Sequence, residues 1–259
     1  MPVELFAGLA GAVSSFLSGL LGIGGGIVLT PVLLYAPPLF GAAVLPVKII
    51  TGLTIVQAIS GSALGALRHR RYGNVSMRLV RLMGPTGAAA SLAGALLSSA
   101  TPDRVIVAVF AAFALITVPL LLQKEHDPDR AVDELHVNVP LAVGIAVVVG
   151  FFGGMVGIGA IAFILAAMVR LLRIPVRIAI GTSLGIGMFA AIAGLIGKAA
   201  TAQIDPTLAL IVLLAAVVAS PFGAAVSQRT HPRVLMLLLA GVVALAGLRM
   251  AWQAIVEMA

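Results

Sequence analysis

Cysteine is absent from the 259 residues. That excludes disulfides, thiolate metal sites and thiol chemistry, and leaves the compartment open. Charge is scarce as well. Only 10% of residues are charged and 61% are hydrophobic, whereas soluble domains are about a quarter charged and about half apolar. The chain is therefore expected to be integral to a membrane, with no room for a separate soluble domain. Acidic residues are missing wherever a helix could cross. Glu4, Asp103, Glu125, Asp127, Asp129, Asp133, Glu134, Asp205 and Glu257 lie at segment ends or in one linker, as do His69, His126, His136 and His231. An intramembrane carboxylate is the usual mark of a proton or cation pathway. Its absence disfavours a carboxylate proton relay, a sodium site, and proteolysis by paired Asp or an HExxH zinc motif. No catalytic residue, metal site or cofactor is expected, and no enzymatic activity. A cleaved signal peptide is not expected either, because MPVELF carries no Lys or Arg. The net charge of +7 does not point to nucleic acid. The basic residues sit at segment ends, where they set topology.

What is present is a series of long uncharged runs. They cover 5–47, 49–67, 82–102, 105–123, 137–169, 178–197, 206–228 and 234–248. A spanning helix needs about 20 mostly apolar residues. Six runs fit one helix each, the last with its flanks. The runs 5–47 and 137–169 are too long for one, and each holds a glycine-rich break. The first break is Ser18–Gly26, SGLLGIGGG, and the second is Gly153–Ile161, GGMVGIGAI. Each long run reads as a helical hairpin, with tips at Gly22–Gly26 and Gly157–Ala160. Deep re-entrant hairpins and pairs of short crossings remain equivalent in topology.

Positive charge orients the chain. Arg68, Arg70, Arg71, Arg78 and Arg81 form one cluster, Arg170, Arg173 and Arg177 a second, and Arg229 and Arg233 a third. All three fall on the cytoplasmic side only if 137–169 enters and returns on one face. The expected fold is all-α and polytopic, with two inverted repeats, each a glycine-broken hairpin plus three transmembrane helices. The first repeat, 1–122, has its hairpin at 5–35 and helices at 46–67, 79–99 and 104–122. A cytoplasmic linker follows at 123–138. The second repeat, 139–259, has its hairpin at 139–172 and helices at 176–197, 206–227 and 233–255.

Internal matches support the repeat. Pro46-Val47-Lys48-Ile49 with Gly52 matches Pro175-Val176-Arg177-Ile178 with Gly181, and Asn74-Val75-Ser76 resembles Gln203-Ile204-Asp205. Gly84–Ala88 resembles Ser220–Ala224. An odd number of crossings per half inverts the second half, the plan of many secondary transporters with midplane sites at broken helices.

Irregular backbone at membrane depth is tolerated where it lines a cavity or is buried in protein. A helix that restarts at a glycine tip presents free N–H groups and the positive end of its dipole. Glycine lets an oxyanion approach closely. Gly22, Gly24, Gly25 and Gly26, with Gly157, Gly159 and Ala160, are thus candidates for a shared anion site; the alternative is glycine for close helix packing. Thr51, Thr54 and Gln57 follow one another at three-residue steps on one helix face, and Thr182 and Ser183 occupy the comparable place in the second half. Their groups can donate to an oxyanion or bond neighbouring backbone. Ser14, Ser15 and Ser18 precede the first tip. Lys48 and Arg177 begin matched helices, either as anion-attracting residues or as charges that mark helix ends. Asn74 and Gln203 read as loop caps, and Tyr72 and Trp252 as interfacial anchors.

SGLLGIGGGIVLTP, its echo in the second half and PVRIAIGTSL resemble the TauE/SafE family of sulfite exporters over essentially the whole chain. Two departures separate the halves. Gly52-Leu53-Thr54 stands opposite Gly181-Thr182-Ser183, and Ala160 and Ile161 stand opposite Gly25 and Gly26. The resemblance implies transport of sulfite or a related sulfur anion, such as a sulfonate or thiosulfate, usually outward. The expected setting is a multi-pass protein of a bacterial cytoplasmic membrane, in contact with lipid; monomer and homodimer are both left open. An anion channel on the same site, or a membrane scaffold using the loops Arg68–Arg81 and Gln123–Asn138, are the rival readings.

Overall fold

The computed structural model describes residues 1–21, 26–122, 137–157 and 161–256. The expected tip residues Gly22, Gly24, Gly25, Gly159 and Ala160 lie outside the described residues, as does the linker from 123 to 136. The described residues form ten α-helices and one short 3-10 turn, Pro37–Phe40, with no strand among them.

The first overlong run yields α1 (Val3–Leu21) and α2 (Gly26–Tyr35) on either side of its glycine break. Next come α3 (Val47–Arg71), α4 (Met77–Ser98) and α5 (Asp103–Leu122). The second overlong run yields α6 (Val139–Val156) and α7 (Ile161–Arg170). Then follow α8 (Val176–Ala200), α9 (Pro206–Arg229) and α10 (Pro232–Val256). Caps written in the sequence set several boundaries. The Asn138 side chain accepts from Leu141 N at 3.2 Å to start α6, and Asp205 accepts from Leu208 N at 2.9 Å to start α9. Gly157 ends α6 with φ +79°, a conformation open to glycine at little cost.

Among the described residues, seven helices are long and apolar enough to cross a membrane: α1, α3, α5, α6, α8, α9 and α10. α2 and α7 are short apolar helices, and α4, with Arg78 and Arg81 near its start, is not among the seven. α3 and α8 have 25 residues each, about 37 Å at 1.5 Å per residue, which exceeds a hydrocarbon core of about 30 Å.

The long helix before each glycine break packs on a helix of the other half: α1 lies along α9, and α6 along α4. α3 meets α8, and α5 meets α10. The close approaches come in pairs that interchange when the two halves are exchanged. A side chain on Gly19 would strike Ser220 O, and one on Gly154 would strike Ser91 O. Gly223 faces Phe16 O as Gly94 faces Phe151 O, and Gly52 faces Gln203 O as Gly181 faces Asn74 O. Ser91 Oγ donates to Ala190 O at 2.8 Å, and its counterpart Ser220 Oγ to Gly61 O at 3.4 Å.

One expected match is corrected by this packing. Gly84–Ala88 does not take the place of Ser220–Ala224. Ser91-Leu92-Ala93-Gly94 does, because the serine carbonyl and the glycine three residues on are what each helix presents to the hairpin arm beside it. The glycine–proline likeness was local composition, whereas the spacing of serine and glycine follows the helical face that makes contact.

Candidate functional site

α3 carries polar residues that meet both α1 and the end of α6. Thr51, Thr54 and Gln57 are all completely buried. Thr54 Oγ1 reaches Gly157 O at 2.8 Å and Thr51 O at 3.1 Å. Gly157 is pressed so tightly on Thr51 that a Cβ there would strike the Thr51 carbonyl. The second glycine break therefore abuts the early turns of α3. Gln57 turns to the first hairpin. Its Nε2 donates to Ser14 Oγ at 2.6 Å and to Ser15 Oγ at 2.9 Å, both on α1. Gln57 Oε1 and Ser18 Oγ are buried and have no hydrogen-bond partner among the described residues. Unsatisfied polar atoms in a protein interior are rare and costly; of these two, only the Ser18 hydroxyl could donate to an anion.

At the end of α8 stands Lys198, 0% exposed. Its Nζ donates to Thr51 Oγ1 at 2.9 Å, Ser98 Oγ at 2.8 Å, Met155 O at 3.1 Å and Gln203 Oε1 at 2.9 Å. All four acceptors are neutral. They come from α3, α4, the last turn of α6 and the turn before α9, so both halves of the chain enclose one amino group. Thr51 Oγ1 and Ser98 Oγ spend their own protons on Lys48 O, at 2.9 Å, and Ala95 O, at 2.6 Å, which leaves their lone pairs for Lys198.

The remaining expected residues lie elsewhere. Thr182 Oγ1 accepts from Ser76 N at 2.9 Å, at the turn before α4, and Ser183 Oγ donates to Ile180 O at 3.0 Å. Both are buried on α8, away from the Lys198 end. Lys48 and Arg177 are partly buried and each bonds a carbonyl at the end of another helix, Lys48 Nζ to Ser99 O at 2.7 Å and Arg177 Nη2 to Thr230 O at 3.5 Å. Cations suit the negative end of a helix dipole. Gly26 is buried at the first position of α2.

The sequence profile of the sulfite exporter TauE/SafE family matches residues 7–250. The chain belongs to this family. A probable membrane transporter protein of Methanocaldococcus jannaschii is 24% identical over 254 residues, covering 93% of each chain. YunE of Bacillus subtilis, also named a probable membrane transporter protein, is 25% identical over 264 residues, covering 95% of this chain and 96% of its own. YjnA of the same organism, named likewise, is 26% identical over 255 residues. No solved structure matches the chain significantly. The protein is a multi-pass membrane transporter of the TauE/SafE family.

Sequence reasoning did not single out two members of this transporter's buried polar cluster. Lys198 bounds an uncharged run and so reads as a charge that marks a helix end. Ser98 is one serine in a small-residue stretch. The available signal was that Lys198 falls in the repeat register of His69, in the turn before Asn74 and Gln203, and His69 is likewise buried at 2% exposure. The chain repeats that turn closely: Asn74 N donates to His69 O and Gln203 N to Lys198 O, each at 3.0 Å. Gln203, expected as a loop cap, instead accepts from Lys198 and donates its Nε2 to Thr201 Oγ1 at 2.7 Å.

Proposed function

We propose that the protein exports sulfite or a related sulfur-containing anion across the cytoplasmic membrane of a bacterium, through an anion site bounded by its two glycine breaks. The observation that carries this reading is the convergence of Thr51, Thr54 and Gln57 on α1 and the end of α6, with no buried carboxylate among the described residues. Hydroxyls and an amide without fixed negative charge suit an oxyanion, which would take over the Thr54 proton from Gly157 O and the Gln57 Nε2 protons from Ser14 and Ser15. The restarts of α2 and α7 would add backbone N–H groups and positive dipole ends.

The exchange-related contacts support two inverted repeats, each a hairpin with three crossings. Because α1 packs on α9 and α6 on α4, the units that move in alternating access are each hairpin arm with the helix it lies on, rather than each half of the chain as a block.

An anion leaving a negative interior gains about 2.3 kcal/mol per charge per 100 mV. Export of a dianion thus needs no coupling ion. The test is sulfite flux in proteoliposomes under an imposed potential. Flux should rise with a negative potential on the side the anion leaves and should persist without a proton gradient. Flux indifferent to voltage and dependent on a proton gradient would reject the uncoupled mechanism.

A further inference from the structure

Lys198 is a fully buried amine whose bonding is complete but whose charge, when it is protonated, is not balanced. Its three N–H groups face four oxygens, and none belongs to a carboxylate. A buried ion is ordinarily paired with an opposite charge. Asp103, at the exposed start of α5, attracts Lys198 through space but makes no hydrogen bond to it. A second ammonium lies close by: Lys48 bonds Ser99 O while Lys198 bonds Ser98 Oγ, so the two cations are held on consecutive residues at the end of α4. The Lys198 cage adjoins the second glycine break, through Met155 O on one side and through Thr51, which touches Gly157, on the other.

We propose that Lys198 is the counter-charge of the transported anion, with Lys48 as the second cation that favours a dianion. This rests on the sulfur-oxyanion reading above. The oxyanion replaces part of the neutral oxygen cage and accepts from the ammonium. Charge-assisted bonds to an oxyanion are stronger than those to hydroxyl or amide oxygens. The cage also ties α3 and α4 of the first half to α6, α8 and the turn at Gln203 of the second. Occupation by the anion therefore loosens a contact between halves, which couples binding to opening at that end of the protein. The position related by exchange of halves holds His69, so the lysine is not duplicated at the opposite end.

The test is sulfite exchange by the full-length protein in proteoliposomes, with chloride and sulfate as competitors. Lys198→Gln keeps a polar side chain in the cage and removes the charge. Its KM for sulfite should rise about tenfold or more and its preference for sulfate over chloride as competitor should fall, as the loss of a charge-assisted bond implies. Ser98→Ala removes one neutral competitor for the ammonium, so its KM should fall by about threefold. A purely structural Lys198 would not tighten sulfite binding in this way, and the serine variant carries the test if the glutamine variant does not fold. Wild-type exchange with unchanged KM in the folded variants overturns the Lys198 assignment alone. Absence of any sulfur-oxyanion exchange by the wild type overturns the transport reading, and this assignment with it.

Discussion

Thr54 joins the hydroxyl row of α3 to the second glycine break through one bond, to Gly157 O at 2.8 Å. Valine has nearly the same shape and no donor. Thr54→Val should cost about 1–2 kcal/mol by leaving a buried carbonyl without that bond, which lowers the melting temperature by roughly 2–8 °C in a chain of this size. Thr54→Ser keeps the hydroxyl and should lie between the two. Thermal melting in detergent, read beside sulfite exchange, checks the order wild type, serine, valine. The residue scale also shows why a matched position need not have a matched role. Ser183 stands at the position that matches Thr54, but among the described residues its hydroxyl donates only to Ile180 O, three residues back on its own helix.

At the scale of elements, the hairpin arms depend on near backbone-to-backbone approach. A side chain on Gly94 would strike Phe151 O and stand 3.1 Å from Met155 N, so α4 and α6 touch where glycine permits. Gly94→Val should force the two helices apart and cost about 1–3 kcal/mol or more, as overpacking does. Gly144, on the same α6, has nothing within 4 Å of the added atom. Gly144→Ala should leave folding intact and add about 0.5–1 kcal/mol through helix propensity. Melting curves and size-exclusion profiles of the two variants distinguish a packing glycine from an incidental one. If both behaved alike, the α4–α6 contact would not be set by Gly94.

At the scale of the whole molecule, the arrangement can be read from a chain that has no cysteine of its own, so each introduced thiol reports alone. Tyr72, Leu171 and His231 are exposed at the ends of three helices near the basic clusters, and Ala100 and Ala200 are exposed at the opposite turns. Tyr72→Cys, Leu171→Cys and His231→Cys should react with an impermeant maleimide only from the cytoplasmic side, and Ala100→Cys and Ala200→Cys only from outside. Labelling of Leu171→Cys from outside would mean that α6 and α7 together cross once, and would undo the inverted repeat.

The sequence by itself determined that this is a helical membrane protein, because so few charges and such long apolar runs leave no other way to satisfy the backbone in lipid. It also marked where the long runs break, since α1 ends at Leu21 and α6 at Val156, beside glycines whose conformational freedom no other residue matches. It placed Thr51, Thr54 and Gln57 on one helix face by spacing alone. Only the tertiary structure decided what that face meets, for contact with Gly157 on one side and Ser14 and Ser15 on the other depends on residues about 40 and 100 positions away. The same limit hid Lys198. A lysine in the last turn of an apolar helix reads as a charge at the interface. Four oxygens supplied by both halves of the chain place it in the interior instead, and long-range packing of that kind leaves no mark in local composition.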